Sequence, residues 1–295
     1  MVNPATQLAT VAFLLACPEC GDVLAVRDRS LFCARGHGFD IARQGYVSLL
    51  TGASTKMSGD TAAMLDARAA FQDARHFEPI ADAVADAVRR DARSSPFSIL
   101  EIGAGTGYYL AAALNAAPDA HGIALDVSKP AARRGARAHP RAASILADAW
   151  RGLPIGDGRI DHALSVFAPR NAAEIARTLT PDGLVTVVTP TPRHLSELIE
   201  PLAMIGVDTA KDDRLAETMS AHFSLRERGI VEYSMNLTHN DIADVAAMGP
   251  SAHHAAEQRA ERIADLPEIV RVTASVTVST FGRACGPERT SAAGA

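Results

Sequence analysis

The chain has 295 residues, of which 47% are hydrophobic and 21% charged, and its formal net charge is −5. This composition excludes a disordered chain, and the negative balance argues against holding nucleic acid by bulk charge. No apolar run reaches the roughly 18 residues that a membrane helix needs, so no membrane contact is expected.

Residues 1–16 read as a loose leader. Leu14-Leu15-Ala16-Cys17 has the look of a lipoprotein cleavage box, but no Lys or Arg precedes it. A secretory signal needs a positive start, and a cytoplasmic protein is expected.

Residues 17–56 carry three of the four cysteines; Cys285 stands apart near the end. Cys17, Cys20, Cys33 and His37 follow the spacing C-x2-C-x12-C-x3-H, with short apolar runs between. Clustered thiols beside an imidazole point to metal rather than to a disulfide framework. Two close ligand pairs on tight turns supply two edges of a zinc tetrahedron. Three thiolates and one imidazole fill every position, so the expected site is structural. The expectation is a small N-terminal zinc-binding β domain, followed by a turn-rich linker over 51–59.

From Asp60 the hydrophobic period changes to that of helices. Asp60-Thr61 can cap one running to about Ala74, and Ile80, Val84 and Val88 mark a second after Pro79. Apolar runs at 98–102, 121–125, 143–147, 160–166 and 184–189 then alternate with helical stretches near 107–117, 129–138 and 171–179. That alternation predicts an α/β fold with a mostly parallel sheet covered on both faces. Helices are expected over 194–205, 212–221 and 238–248, and antiparallel strands over 225–236 and 270–281. Residues 286–295 read as a polar tail outside the domain spanning 57–285.

The first of these strands runs into Gly103-Ala-Gly105-Thr106-Gly107, with Glu101 two residues before the first glycine. Alternate glycines after a strand allow a ligand to approach the backbone closely. A dinucleotide site has G-x-G-x-x-G instead. Glu101 would repel a pyrophosphate and suits a ligand bearing an ammonium group. The combination resembles motif I of class I S-adenosylmethionine-dependent methyltransferases. That resemblance implies a seven-stranded Rossmann-like sheet, Asp126 at the ribose hydroxyls and Asp148 near the adenine amine. After the fourth strand, Phe167-Ala168-Pro169 lacks the Asn or Asp found in many enzymes that methylate exocyclic amines, which fits a ring nitrogen as acceptor.

With the cysteine cluster in front, the whole chain resembles the RlmA family of 23S rRNA (guanine-N1)-methyltransferases. The likeness rests on the metal cluster, Phe39–Val47, Gly59-Asp60, Ala67–Phe71, Glu101–Tyr109, Leu125–Lys129, Phe167–Pro169 and Thr189–Leu195. It implies S-adenosylmethionine and zinc as cofactors and a hairpin loop of 23S rRNA beside the peptide exit tunnel as partner. Cofactor contacts are implied for Phe77, Arg193 and His194, and a homodimer is implied for the assembly. One branch of the family confers resistance to macrolides such as tylosin, and the Ala- and Arg-rich composition leans towards that branch.

Phe167, Pro169 and His194 are the candidate catalytic residues; His194 and Asp161 are candidate bases, and a backbone carbonyl of the 167–169 loop is a further candidate acceptor. Arg27, Arg29, Arg35, Arg43 and Lys56 in the N-terminal module, and Arg133, Arg134, Arg137 and Arg141, are candidates for RNA contact. A small-molecule methyltransferase and a non-catalytic zinc-bearing ribosome-binding factor are the alternatives.

Overall fold

The computed structural model describes residues 4–51, 57, 59–92, 96–206, 217–249 and 256–284. The polar tail, Cys285 and most of the 51–59 linker, Lys56 included, lie outside the described residues. So do residues 212–216 of the expected helix at 212–221; residues 217–220 are helical and 221 lies in a turn.

Residues 4–14 depart from the expected loose leader. Helix α1 (Pro4–Val11) and a following 3-10 turn bury Leu8, Val11, Leu14 and Leu15 almost completely. The strand-like bridge of Leu15 to Ile155 and the bond from Ala16 N–H to the Pro154 carbonyl tie this segment to the body. The helix carries no charged residue in its first or last turn. Burial against a sheet supplies the stabilisation instead.

Three short strands follow as an antiparallel sheet: β1 (Ala25–Arg27), β2 (Ser30–Phe32) and β3 (Gly38–Asp40). The next strand, β4 (Tyr46–Ser48), leaves this module and pairs in parallel with β7 (Ala142–Leu146). The central sheet therefore has eight strands where seven were expected, in the order β10-β11-β9-β8-β5-β6-β7-β4. Tyr46 and Val47 are both buried, and this β-prone dipeptide covers an edge that would otherwise expose backbone groups.

Strands β5 (Phe97–Ile102), β6 (Ala120–Asp126), β7, β8 (Ile160–Val166) and β9 (Leu179–Pro190) run parallel to one another. Every residue of β5 is buried, because helices cover both faces. The long strands β10 (Phe223–Thr238) and β11 (Ile269–Arg283) close the other end antiparallel, with β10 outermost. Helices α2 (Ala62–Asp73) and α3 (Glu78–Asp91) form as expected. The Thr61 hydroxyl accepts from Met64 N–H, and Ile80, Val84 and Val88 fill the buried face of α3.

Helices α4 (Tyr108–Ala116), α5 (Lys129–Ala138) and α6 (Ala172–Thr178) connect the parallel strands. In the 194–205 region only α7 (Ser196–Ile199) is α-helical. Helix α8 (His239–Ala247) starts at a capping box between Thr238 and Asp241, and α9 (Ala256–Ala264) is a helix the sequence reading did not anticipate. Among the described residues no helix is long and apolar enough to cross a membrane.

Because β5 leads to β6 on one side while β8 lies on its other side, the sheet has its topological switch point between β5 and β8. Ligands of open α/β sheets sit beyond the carboxyl ends of the strands at such a point.

Candidate functional site

The four metal-ligand candidates converge. One ligand atom from each of Cys17, Cys20, Cys33 and His37 lies within 4.8 Å of all the others. His37 Nδ1 is 3.5 Å from Cys17 Sγ and 3.4 Å from Cys33 Sγ, and the Cys20 and Cys33 sulfurs are 3.7 Å apart. A tetrahedron with zinc–sulfur bonds of about 2.3 Å has edges of about 3.8 Å, so these donors fit zinc. Cys17 and Cys33 pack in the same buried cluster as Leu100, Ile102 and Ile145 of the central sheet. The metal module is thus built onto the larger domain rather than hung from it.

At the switch point, Gly103, Gly105 and Gly107 all have left-handed φ, at 70°, 55° and 78°. A β-carbon at Gly103 would lie 2.7 Å from Cβ of Ala168, and one at Gly107 would lie 2.5 Å from Cβ of Ala138. Other side chains are therefore excluded by space as well as by backbone geometry. Asp126 ends β6, and its two carboxylate oxygens accept Gly105 N–H at 2.9 Å and Ser128 N–H at 2.8 Å. The same group that faces the glycine loop also holds it in shape. Burial raises its pKa against the pull of these two bonds.

Glu101 lies under the loop, 1% exposed, accepting Leu110 N–H at 3.1 Å. Burial, and to a lesser extent the nearby Asp126, push its pKa up to about 8 against the pull of the Leu110 N–H and of Arg68. A buried carboxyl that resists ionisation is primed for a cationic ligand. Thr106 donates its hydroxyl to Gln72 Oε1 at 2.7 Å. Asp148, beyond the end of β7, is buried and accepts Trp150 N–H at 3.0 Å. It borders a cleft of about 390 Å³ between the metal module and the body, also lined by Pro18, Leu50, Arg151 and Arg177.

Beside the glycines stands an aromatic cluster. Phe167, just past β8, is held at φ 53° and is 39% exposed. Its ring stacks on His194 with centroids 5.7 Å apart, and Phe77 lies 6.1 Å from Phe167 and 5.8 Å from His194. Tyr109 meets Phe167 edge-on at 6.4 Å. A bulky residue in the left-handed region costs about 1–3 kcal/mol and marks a site where the surroundings over-determine the backbone.

His194 Nδ1 accepts Ser275 N–H at 3.2 Å, and burial pushes its pKa down to about 4. The ring is neutral with its proton on Nε2, a donor rather than a base. Asp161, the other candidate base, lies at the opposite end of the sheet. Its carboxylate accepts the N–H and hydroxyl of Ser98, at 2.9 and 2.7 Å. Its place at the start of β8 sets it away from the chemistry.

The pattern matches known proteins. Residues 15–58 match the family described as RlmA, N-terminal, and residues 99–183 match a methyltransferase domain. A Streptomyces fradiae protein named 23S rRNA (guanine(748)-N(1))-methyltransferase is 47% identical over 265 residues, 89% of this chain and 94% of that one. The chain belongs to the RlmA family. A Micromonospora griseorubida protein named for the same guanine-N1 reaction is 45% identical over 90% of this chain and 96% of its own. A Bacillus subtilis relative named likewise is 34% identical over 64% and 69%.

Within this RlmA-family fold the expected site residues divide. Glu101, the three glycines, Thr106 and Asp126 gather at the glycine loop, and Phe77, Phe167 and His194 form the adjoining aromatic wall. Pro169 is exposed just beyond it. Arg193 turns away, 69% exposed and paired with Glu232 of β10 at 2.9 Å. Of the second arginine cluster, Arg141 donates to the carbonyls of Ala117, Ala120 and Leu114 at the end of α4, and Arg134 pairs with Asp66. Arg141 is thus a helix cap, and Arg133 and Arg137 are the exposed members. Tyr109 and Arg68 are site residues that the sequence reading did not assign to the cofactor. Both lie in segments on which the family likeness rests, but only the fold brings α2 over the glycines.

Proposed function

We propose that this protein transfers a methyl group from S-adenosylmethionine to N1 of a guanine in a hairpin loop of 23S rRNA. Support for the reaction comes from the strained Phe167 ring stacked on His194 at the edge of the glycine cradle. That flat apolar wall suits an unstacked base, and loops present such bases at low cost. Support for the substrate comes from the curated relatives' names.

When bound, S-adenosylmethionine supplies an electrophilic methyl on a sulfonium. In this reading Glu101 faces the cofactor's cationic end, Asp126 its ribose and Asp148 its adenine, with Gly103, Gly105, Thr106 and Gly107 lining the approach. Phe77 backs the cofactor, and Phe167 and the 168–169 turn position the guanine. The Nε2–H of His194 offers a hydrogen bond to an acceptor there and stabilises negative charge on the ring as the N1 proton passes to solvent water. Zinc, held by Cys17, Cys20, Cys33 and His37, fixes a module whose arginines grip the RNA. A homodimer and a macrolide-resistance role belong to the same reading.

Incubating the protein with labelled cofactor and protein-free 23S rRNA tests it, followed by primer extension. A stop at one guanine of a hairpin loop is expected, because a methyl on N1 blocks pairing. Label incorporated only into a small-molecule extract, or nowhere, would refute it. Raised macrolide tolerance in a sensitive host expressing the protein, and a dimeric mass in solution, check the last two parts.

A further inference from the structure

Arg68 belongs to α2 but reaches the glycine loop. Its Nη1 lies 2.8 Å from where a β-carbon of Gly105 would stand. Its Nη2 donates to the Met248 carbonyl at 3.0 Å, and the guanidinium pairs with Asp60. The side chain is only 25% exposed. It is also the positive charge that lowers the pKa of both Glu101 and Asp126. The Tyr109 hydroxyl, on the helix that follows the glycines, is buried and without a hydrogen-bond partner among the described residues, and the Arg68 charge acts on it.

The charges form a pattern. Two carboxyl groups, Glu101 and Asp126, share an electrostatic neighbourhood with one guanidinium, which Asp60 pairs. A sulfonium amino acid carries two positive charges and one negative. The carboxylates suit its positive groups, and the guanidinium suits its carboxylate. An unpartnered, desolvated hydroxyl costs about 1–3 kcal/mol, and an incoming carboxylate oxygen would satisfy it.

We propose that Arg68 binds the carboxylate of the cofactor's methionine end, with the Tyr109 hydroxyl as a second donor. Arg68 thereby makes the site selective for the intact amino acid over its decarboxylated form. This rests on the cofactor reading above. Asp60 competes for the same guanidinium.

The test compares S-adenosylmethionine with decarboxylated S-adenosylmethionine, which keeps the sulfonium and amine, by calorimetric titration of the full chain. A charge-assisted bond of about 1.5–3 kcal/mol corresponds to roughly 10–100-fold in affinity. The wild type should prefer the intact cofactor by about that factor. Arg68→Gln should lose the preference, weakening the intact cofactor while leaving the decarboxylated one within about twofold of its wild-type affinity. Asp60→Asn frees the guanidinium and should tighten binding of the intact form alone.

A wild type that binds neither compound would remove the cofactor reading and this inference together. A wild type that binds both equally, or an Arg68→Gln protein that retains the preference, would overturn this inference and leave the cofactor reading standing. If Arg68→Gln fails to fold, the Asp60→Asn comparison decides, and tightening of both compounds, or of neither, counts against the proposal.

Discussion

The imidazole Nδ1 of His194, on the turn after β9, accepts the backbone N–H of Ser275 in the middle of β11 at 3.2 Å. This bond fixes the tautomer and holds the ring against Phe167. Since burial lowers the His194 pKa to about 4, methyl transfer between pH 6 and 8 should show no inflection from this residue. His194→Phe keeps a ring for stacking but strands the Ser275 donor. It should lower stability by about 1–3 kcal/mol in denaturant unfolding. A kinetic pKa near 6.5 that vanishes in His194→Phe would contradict this account.

Phe167 holds a left-handed backbone and an aromatic face at once, so the two can be separated by substitution. Phe167→Gly should be about 1 kcal/mol more stable than Phe167→Ala, because glycine accepts this φ without strain. Both variants should lose most methyl transfer while keeping cofactor affinity. Thermal unfolding and calorimetric titration read the two effects independently.

Asp126 braces the glycine loop through Gly105 and Ser128. Asp126→Ala should therefore lose cofactor affinity and also lower the melting temperature. Asp126→Asn keeps one acceptor oxygen and should recover part of the stability with little of the affinity. Normal cofactor binding by calorimetry in Asp126→Ala would show that the carboxylate does not face the ligand.

Glu101 has a folded pKa of about 8 against an ordinary value of 4.5. Between those values the native state holds a proton that the unfolded state releases, so this group's contribution to stability is full below pH 4.5 and lost as pH rises through 8. The free protein should lose stability along that window, and Glu101→Gln should flatten the dependence. A cationic ligand favours the ionised carboxyl, so binding should release protons at pH 7. Titrations in buffers of different ionisation enthalpy measure that release.

Metal removal should reach beyond the N-terminal module. Structural zinc contributes roughly 10–16 kcal/mol in small modules. Here Cys17 and Cys33 share a buried cluster with the central sheet, and β4 covers the edge of β7. Cys33→Ser should bind less than one equivalent of zinc and should lower the main thermal transition as well as unfolding residues 17–50. An unchanged main transition in a zinc-free variant would show that the two parts fold independently.

The local chemistry was legible in the sequence. The ligand spacing Cys17-Cys20-Cys33-His37, the glycine run after β5, Asp126 at the end of β6 and the alternation of strands with helices each rest on contacts between near neighbours in the chain, and such contacts leave periodic or punctuated patterns. Tertiary structure decided what depends on residues far apart. It turned the N-terminal segment into a buried helix, moved Tyr46–Ser48 into the central sheet as an eighth strand, and sent Asp161 to the wrong end for catalysis. It also made His194 a donor and placed Arg68 over Gly105. Each of these outcomes depends on burial and on a distant partner, such as Pro154 for Ala16, β7 for β4 or Ser275 for His194. A sequence pattern does not record which distant surface a side chain will meet.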